Sequence, residues 1–146
     1  MYIDSLNILV INGFDKNIKV VLSDGLKNIN DKDVTTISIA GMGGILISDI
    51  LKGKKKYLKG KRLILSPHRD SDIVRKTLHE LNFKIVDEDV LQDKNDKYYT
   101  FIIAVEGTDS VYSSNDYKLG KKLINKKYKD DELIKFLNHL INKNKN

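Results

Sequence analysis

Residues 34–44, Val-Thr-Thr-Ile-Ser-Ile-Ala-Gly-Met-Gly-Gly, lead straight into Ile45-Leu-Ile-Ser-Asp-Ile-Leu51 and constrain the fold more than any other stretch. A run rich in β-branched residues, three glycines within four positions and then apolar residues at helical spacing read as strand, tight loop and helix. Gly41, Gly43 and Gly44 leave the main chain bare, so a ligand can approach it closely. The helix that follows directs N–H groups and a positive dipole end toward the same place. The loop is therefore the candidate ligand site. No side chain from Gly41 to Leu46 titrates, so it can hold a ligand but not move a proton. It is not a dinucleotide fingerprint, because Leu46 stands where the third glycine belongs, and no Lys-Ser/Thr pair follows to make a P-loop. The plain alternative is a tight turn whose glycines serve packing.

Along the chain, residues 4–13 read as the second half of a helix, with Leu6, Leu9 and Val10 spaced for one face and Asn12-Gly13 as its stop. Residues 18–23 read as a strand ending at Asp24-Gly25-Leu26. An acidic residue at the carboxyl end of a strand is a polar ligand contact in open α/β sheets, unless it only caps the turn or short helix at 26–29. The helix after the glycine loop stops at Gly53, and residues 61–66 form the next buried strand, leaving at Pro67-His68-Arg69-Asp70. Asp70 and Asp72 are placed to cap a helix carrying Ile73, Leu78 and Leu81. Residues 84–91 and 97–105, joined by a turn-rich segment, predict a β-hairpin. Leu119, Leu123 and Ile124, a break near Lys129, and the stripe Leu133, Ile134, Leu137, Leu140 and Ile141 predict two short antiparallel helices. The class is α/β: an open sheet of Rossmann type with an antiparallel C-terminal strand pair over residues 1–107, then a helical extension over 108–146.

Composition narrows the function classes. Among 146 residues there is no cysteine, which excludes disulfides, zinc-thiolate sites and cysteine nucleophiles. Three distant histidines make no metal spacing, so no metal is expected. No apolar run approaches the ~20 residues of a membrane span, and the expected location is cytoplasmic. The net charge of +6 is local: residues 1–117 hold 17 basic and 17 acidic residues, whereas residues 118–146 hold nine lysines against Asp130, Asp131 and Glu132. Such a tail suits a phosphate backbone, or else is a solvated helical face. His68, at a strand exit, is a candidate base or stacking group; His79 and His139 read as surface residues.

Asp24-Gly-Leu26, the Ile39-Ala-Gly-Met-Gly-Gly44 loop, Leu65-Ser-Pro67, Arg75 with Leu78, and Tyr99 together carry a resemblance. In order and approximate spacing they resemble the bacterial tRNA adenine-N1 methyltransferases that modify the D-loop adenosine at position twenty-two, the TrmK-type family. The resemblance covers nearly the whole chain. It implies a class I methyltransferase fold, S-adenosyl-L-methionine as cofactor and tRNA as substrate, with the C-terminal helices helping to hold the RNA. By the same resemblance Asp24, Gly25 and Leu26 border the cofactor's adenine, and Ala40, Gly41, Met42, Gly43 and Gly44 line the cleft between cofactor and target base. Pro67 would shape the base pocket, with His68, Arg69 and Tyr99 at the substrate. His68 stands where the family has asparagine, and Thr100 where it has glutamate.

The family opens with about one more strand–helix–strand unit, bearing the glycine-containing cofactor loop and an acidic residue that assists proton removal. No counterpart stands in this sequence, so the resemblance names no catalytic acid or base. The chain is read as a C-terminal portion of such an enzyme, its sheet lacking the first strands, inactive alone and open to a complementing N-terminal polypeptide. In the family's strand order, residues 18–23 and 37–40 would stand two vacant positions apart, about 14 Å. A rearranged sheet would instead pair residues 18–23 with 36–40 in a parallel ladder. Two other readings stay open: a non-catalytic RNA-binding remnant, and an α/β domain for another nucleotide.

Overall fold

The computed structural model describes residues 18–127 and 129–143. The chain divides into two compact units, Met1–Lys32 and Asp33–Asn146. In the first, the run at 18–23 forms no strand, and Ile18, Val21 and Leu22 are exposed. Strand preference is a preference for a pleated, half-buried surface, which this run does not find; the ladder expected to residues 36–40 is accordingly absent. Residues 24–28 are turn rather than helix, with Gly25 at φ 57°. Ser23 does the capping, its Oγ accepting the Asn28 N–H at 3.0 Å. The helix expected at 4–13 lies outside the described residues.

The second unit holds a four-stranded sheet: β1 (Thr36–Met42), β2 (Arg62–Pro67), β3 (Phe83–Gln92) and β4 (Tyr98–Glu106), in the order β1-β2-β4-β3. β1 and β2 are parallel, and β4 runs antiparallel to both its neighbours. Helices α1 (Gly44–Gly53) and α2 (Lys55–Leu58) cross from β1 to β2, and α3 (Ser71–Glu80) follows β2. Ile47 and Leu51 of α1 and Val74 and Leu78 of α3 are fully buried, as are Leu63 and Leu65 of β2 and Ile102 and Ala104 of β4. One core thus lies between the sheet and the α1–α3 pair, and it fixes where β1 and β2 end.

Asp70 does not cap α3 with its side chain as expected. It sits in the left-handed region at φ 57°, where the carboxylate cannot fold back onto the first turn, and its carbonyl accepts the Ile73 N–H at 3.1 Å instead. Asp72 pairs with Lys76 at 3.2 Å. In the hairpin, Asp93 Oδ1 accepts the N–H groups of Asn95 and Lys97 at 2.8 and 3.0 Å, and these bonds close the turn. The β3 ladder carries a bulge between Ile85 and Asp87. Two residues there oppose one on β4, so the inward phase passes from Phe83 and Ile85 to Glu88.

The C-terminal segment is three helices where two were expected: α4 (Ser114–Leu119), α5 (Lys121–Ile124) and α6 (Asp131–Lys143). Ser113 and Asp116 form a reciprocal capping box that starts α4. Gly120, at φ 91°, breaks the first expected helix into α4 and α5. Leu133 and Phe136 of α6 pack with Leu123, Val90 and Tyr98. At the head of α6, Glu132 accepts the Gln92 N–H and Asp130 accepts that of Leu133.

An ion pair locks this segment to the sheet. Arg75 of α3 and Glu88 of β3, at 1% and 0% exposure, meet at 2.6 Å. The Arg75 Nη1 donates to the Tyr117 carbonyl at 2.6 Å, and Glu88 Oε2 accepts the Lys122 N–H at 3.1 Å. Both charges therefore reach into the backbone on either side of Gly120.

His79 is also part of the fold rather than a free surface residue. Its Nδ1 lies 2.8 Å from the Tyr117 hydroxyl and its Nε2 3.3 Å from Asp109 Oδ2, with Tyr112 edge-on at 4.5 Å. Burial pushes the Tyr112 hydroxyl pKa up, and the Asp109 charge adds to it. Burial also opposes ionisation of Asp109, but the N–H groups of Ile85 and Ser110 and the His79 ring outweigh it and hold the carboxyl below its usual value of 3.8. A depressed folded-state pKa stabilises the fold above the unfolded value and is lost as pH falls through the folded one. Asp109→Ala is expected to cost about 1 to 2 kcal/mol at neutral pH. Urea midpoints should show the gap from the parent narrowing below about pH 4; a pH-independent gap would refute the assignment.

Candidate functional site

The site is built where β1 and β2 end side by side. Ala40 pairs with Ser66 and Met42 with Pro67, and Gly41 between them is the extra residue, at φ 80°. The strand thus runs through Gly41 to Met42 rather than stopping at Ala40. The His68 N–H donates to the Met42 carbonyl at 3.1 Å, joining the two exits.

The three glycines have three different roles. Gly41 is exposed, and a Cβ built there would meet only His68 Nε2, at 4.0 Å. Gly43 is the residue before α1 and lies under the Arg69 side chain, whose Nε would be 3.3 Å from its Cβ. Gly44 is buried by main chain: a Cβ would stand 2.8 Å from the Asp70 carbonyl carbon and 3.0 Å from the Arg69 carbonyl oxygen. Its N–H donates to that Arg69 oxygen at 2.9 Å. Gly44 therefore serves the close approach of α1 to the β2 exit, and its N–H is engaged by protein. Open main chain is confined to Gly41 and part of Gly43.

Pro67, His68, Arg69 and Tyr99 line one cavity of about 580 Å³. Pro67 is buried at its base, and the His68 and Tyr99 rings meet edge to face at 6.0 Å. Thr100, where the family carries glutamate, is buried in the wall. Asp24, Gly25 and Leu26 belong to the first unit. There the Asp24 carboxylate is exposed and pairs with Lys27 at 2.5 Å.

Sequence reasoning missed the opposite wall, formed by Tyr98 of β4 and by Phe136, His139, Leu140 and Lys143 of α6. A signal was present: positions 136, 139, 140 and 143 recur at intervals of three and four, so His139 and Lys143 share a face with Phe136. Among the described residues, no hydrogen-bonded pair of nucleophile and base lines this cavity, so the arrangement suits binding and positioning. Among the described residues, no helix is long and apolar enough to cross a membrane.

A mixed α/β sheet with its cavity at the strand exits is the architecture of Rossmann-like ligand-binding proteins. The chain belongs to the tRNA (adenine(22)-N(1))-methyltransferase family, whose pattern matches residues 4–146. It is 33% identical over 109 residues to a Bacillus subtilis protein of that name, covering 74% of this chain and 46% of the relative. An NADB-Rossmann protein from Streptococcus agalactiae superposes with a TM-score of 0.86 at 29% identity, over 97% of this chain and 61% of that one. A candidate tRNA (m1A22) methyltransferase from Streptococcus pneumoniae, solved with S-adenosyl-L-methionine, gives 0.86 at 28% identity over 97% and 65%. The fold is that of a class I methyltransferase. The chain spans about half to two thirds of the length of these relatives.

Proposed function

We propose that this chain supplies the target-base side of an S-adenosyl-L-methionine-dependent tRNA adenine-N1 methyltransferase, with a complementing polypeptide pairing on the β1 edge to complete the cofactor site. The observation that carries this reading is the convergence of Pro67, His68, Arg69 and Tyr99 on one cavity at the β2 exit, with His68 Nε2 4.0 Å from a Cβ built at the open Gly41. The residues fit the cofactor: Gly41 offers uncovered main chain, and residues 40–44 bring no charge against a sulfonium. Asp24, Gly25 and Leu26 would take the adenine end, with Ala40, Met42, Gly43 and Gly44 forming the floor between cofactor and base.

S-adenosyl-L-methionine supplies an electrophilic methyl group when bound. The protein's part is alignment and exclusion of water, which would suffice to accelerate attack by a ring nitrogen on that methyl carbon, since the sulfur departs as a neutral thioether. His68 and Tyr99 hold the adenine plane, buried Pro67 fixes the wall behind it, and Arg69 and Lys97 suit flanking phosphates. No residue of this chain is assigned as the base that removes the proton. Among the described residues β1 is laddered on one side only, which leaves an edge for a further strand.

Labelled methyl transfer to unmodified tRNA tests the proposal. The chain alone should give no product, and addition of the family's leading strand–helix–strand segment as a separate polypeptide should restore turnover. Product from the chain alone would refute the need for a complement. Tight, salt-sensitive tRNA binding with no S-adenosylhomocysteine binding in either mixture would favour an RNA-binding remnant instead.

A further inference from the structure

The cavity has two aromatic stations, and the established resemblance accounts for one. His68 stands beside Gly41 and meets Tyr99 edge to face, and the methylated base belongs there on the reading above. The second station is built on α6: the His139 ring lies 5.8 Å from Tyr98 at 37°, and Tyr98 lies 5.2 Å from Phe136. Phe136 is buried and fixes Tyr98, while His139 is exposed to the cavity. Lys143, one turn further along the same face, is exposed and makes no ion pair among the described residues. A volume near 580 Å³ exceeds what a single base fills. An aromatic face beside a lysine is how single-stranded nucleic acid is held: the ring takes the base and the ammonium its phosphate.

We propose that the second station receives the nucleotide adjacent to the methylated adenosine, its base stacked on His139 beside Tyr98 and its phosphate on Lys143. This rests on the tRNA-methyltransferase reading. On it, α6 is a wall of the reaction pocket, and it grips the neighbour of the target rather than only adding positive charge at a distance. Stacking tolerates any base, so the station positions the strand without demanding one sequence.

The test uses the full chain and tRNA carrying 2-aminopurine next to the target adenosine. Binding should quench the probe, and His139→Ala should abolish the quenching and weaken binding at least about fivefold. His139→Phe keeps a stacking face and should retain both. Lys143→Gln should reduce the slope of log affinity against log salt by about one, leaving the quenching in place. Unchanged quenching in His139→Ala, or an unchanged salt slope in Lys143→Gln, would overturn the proposal while leaving the methyltransferase reading intact. A parent chain that binds no tRNA would overturn both.

Discussion

Glu88→Ala is expected to destabilise the fold by about 3 to 5 kcal/mol, because it strands a buried guanidinium. Arg75 is 1% exposed and has Glu88 as its carboxylate partner at 2.6 Å. Ser71 and the Tyr117 carbonyl remain after the change, but neither carries a charge. Guanidinium unfolding would show a lower midpoint. The double variant Arg75→Met/Glu88→Leu removes both charges and should recover most of the loss, since apolar replacements of a buried pair are often neutral. If Glu88→Ala were as stable as the parent, the ion pair would not be the fastening between α3, β3 and the C-terminal helices.

Gly120→Ala is the second large effect, expected at about 2 to 4 kcal/mol from backbone strain and overpacking together. The residue sits at φ 91°, and an added Cβ would lie 2.9 Å from Arg75 Nη2 and 3.0 Å from Glu88 Oε2. The methyl group must displace the ion pair or the helix break must move. These two origins separate in a double-mutant cycle. In the Arg75→Met/Glu88→Leu background the collision with charged groups is gone, so only the strain at Gly120 should remain, a smaller loss of about 1 to 3 kcal/mol. Equal losses in both backgrounds would mean that Gly120 matters for its conformation alone.

These expectations rest on contacts that period and propensity could not reveal. The alternation of β3 puts Glu88 with Lys84 and Val86 on an outward face. The bulge between Ile85 and Asp87 reverses that phase and turns Glu88 inward against Arg75. A bulge is decided by what the partner strand and the covering helix require, and it leaves no fixed mark in ten residues of sequence. Asp70 shows the same limit: an aspartate ahead of a helix is a good cap only in extended backbone, and this one lies in the left-handed region beside the close approach of Gly44. Residues 18–23 have strand composition but no ladder, because a strand is defined by its neighbour.

The candidate site was legible in part. Glycines at 41, 43 and 44 announced a turn with bare main chain, Pro67, His68 and Arg69 stood at a strand exit, and Tyr99 entered through the family resemblance. Their distinct uses were not legible: Gly44 closes against the Asp70 and Arg69 carbonyls while Gly41 stays open, and only the approach of α1 to the β2 exit distinguishes them. His139 looked like a surface residue because it is exposed; what it is exposed to depends on where α6 lies.

Sequence alone determined the succession of strands β1 to β4, the hairpin, the glycine turn and the family, because these depend on local periodicity, on turn chemistry and on short motifs. Tertiary structure decided the buried Arg75–Glu88 pair, the break at Gly120 and the α6 wall of the cavity. Each of these joins residues distant along the chain, and such contacts are chosen by packing and desolvation rather than by any neighbour in the sequence.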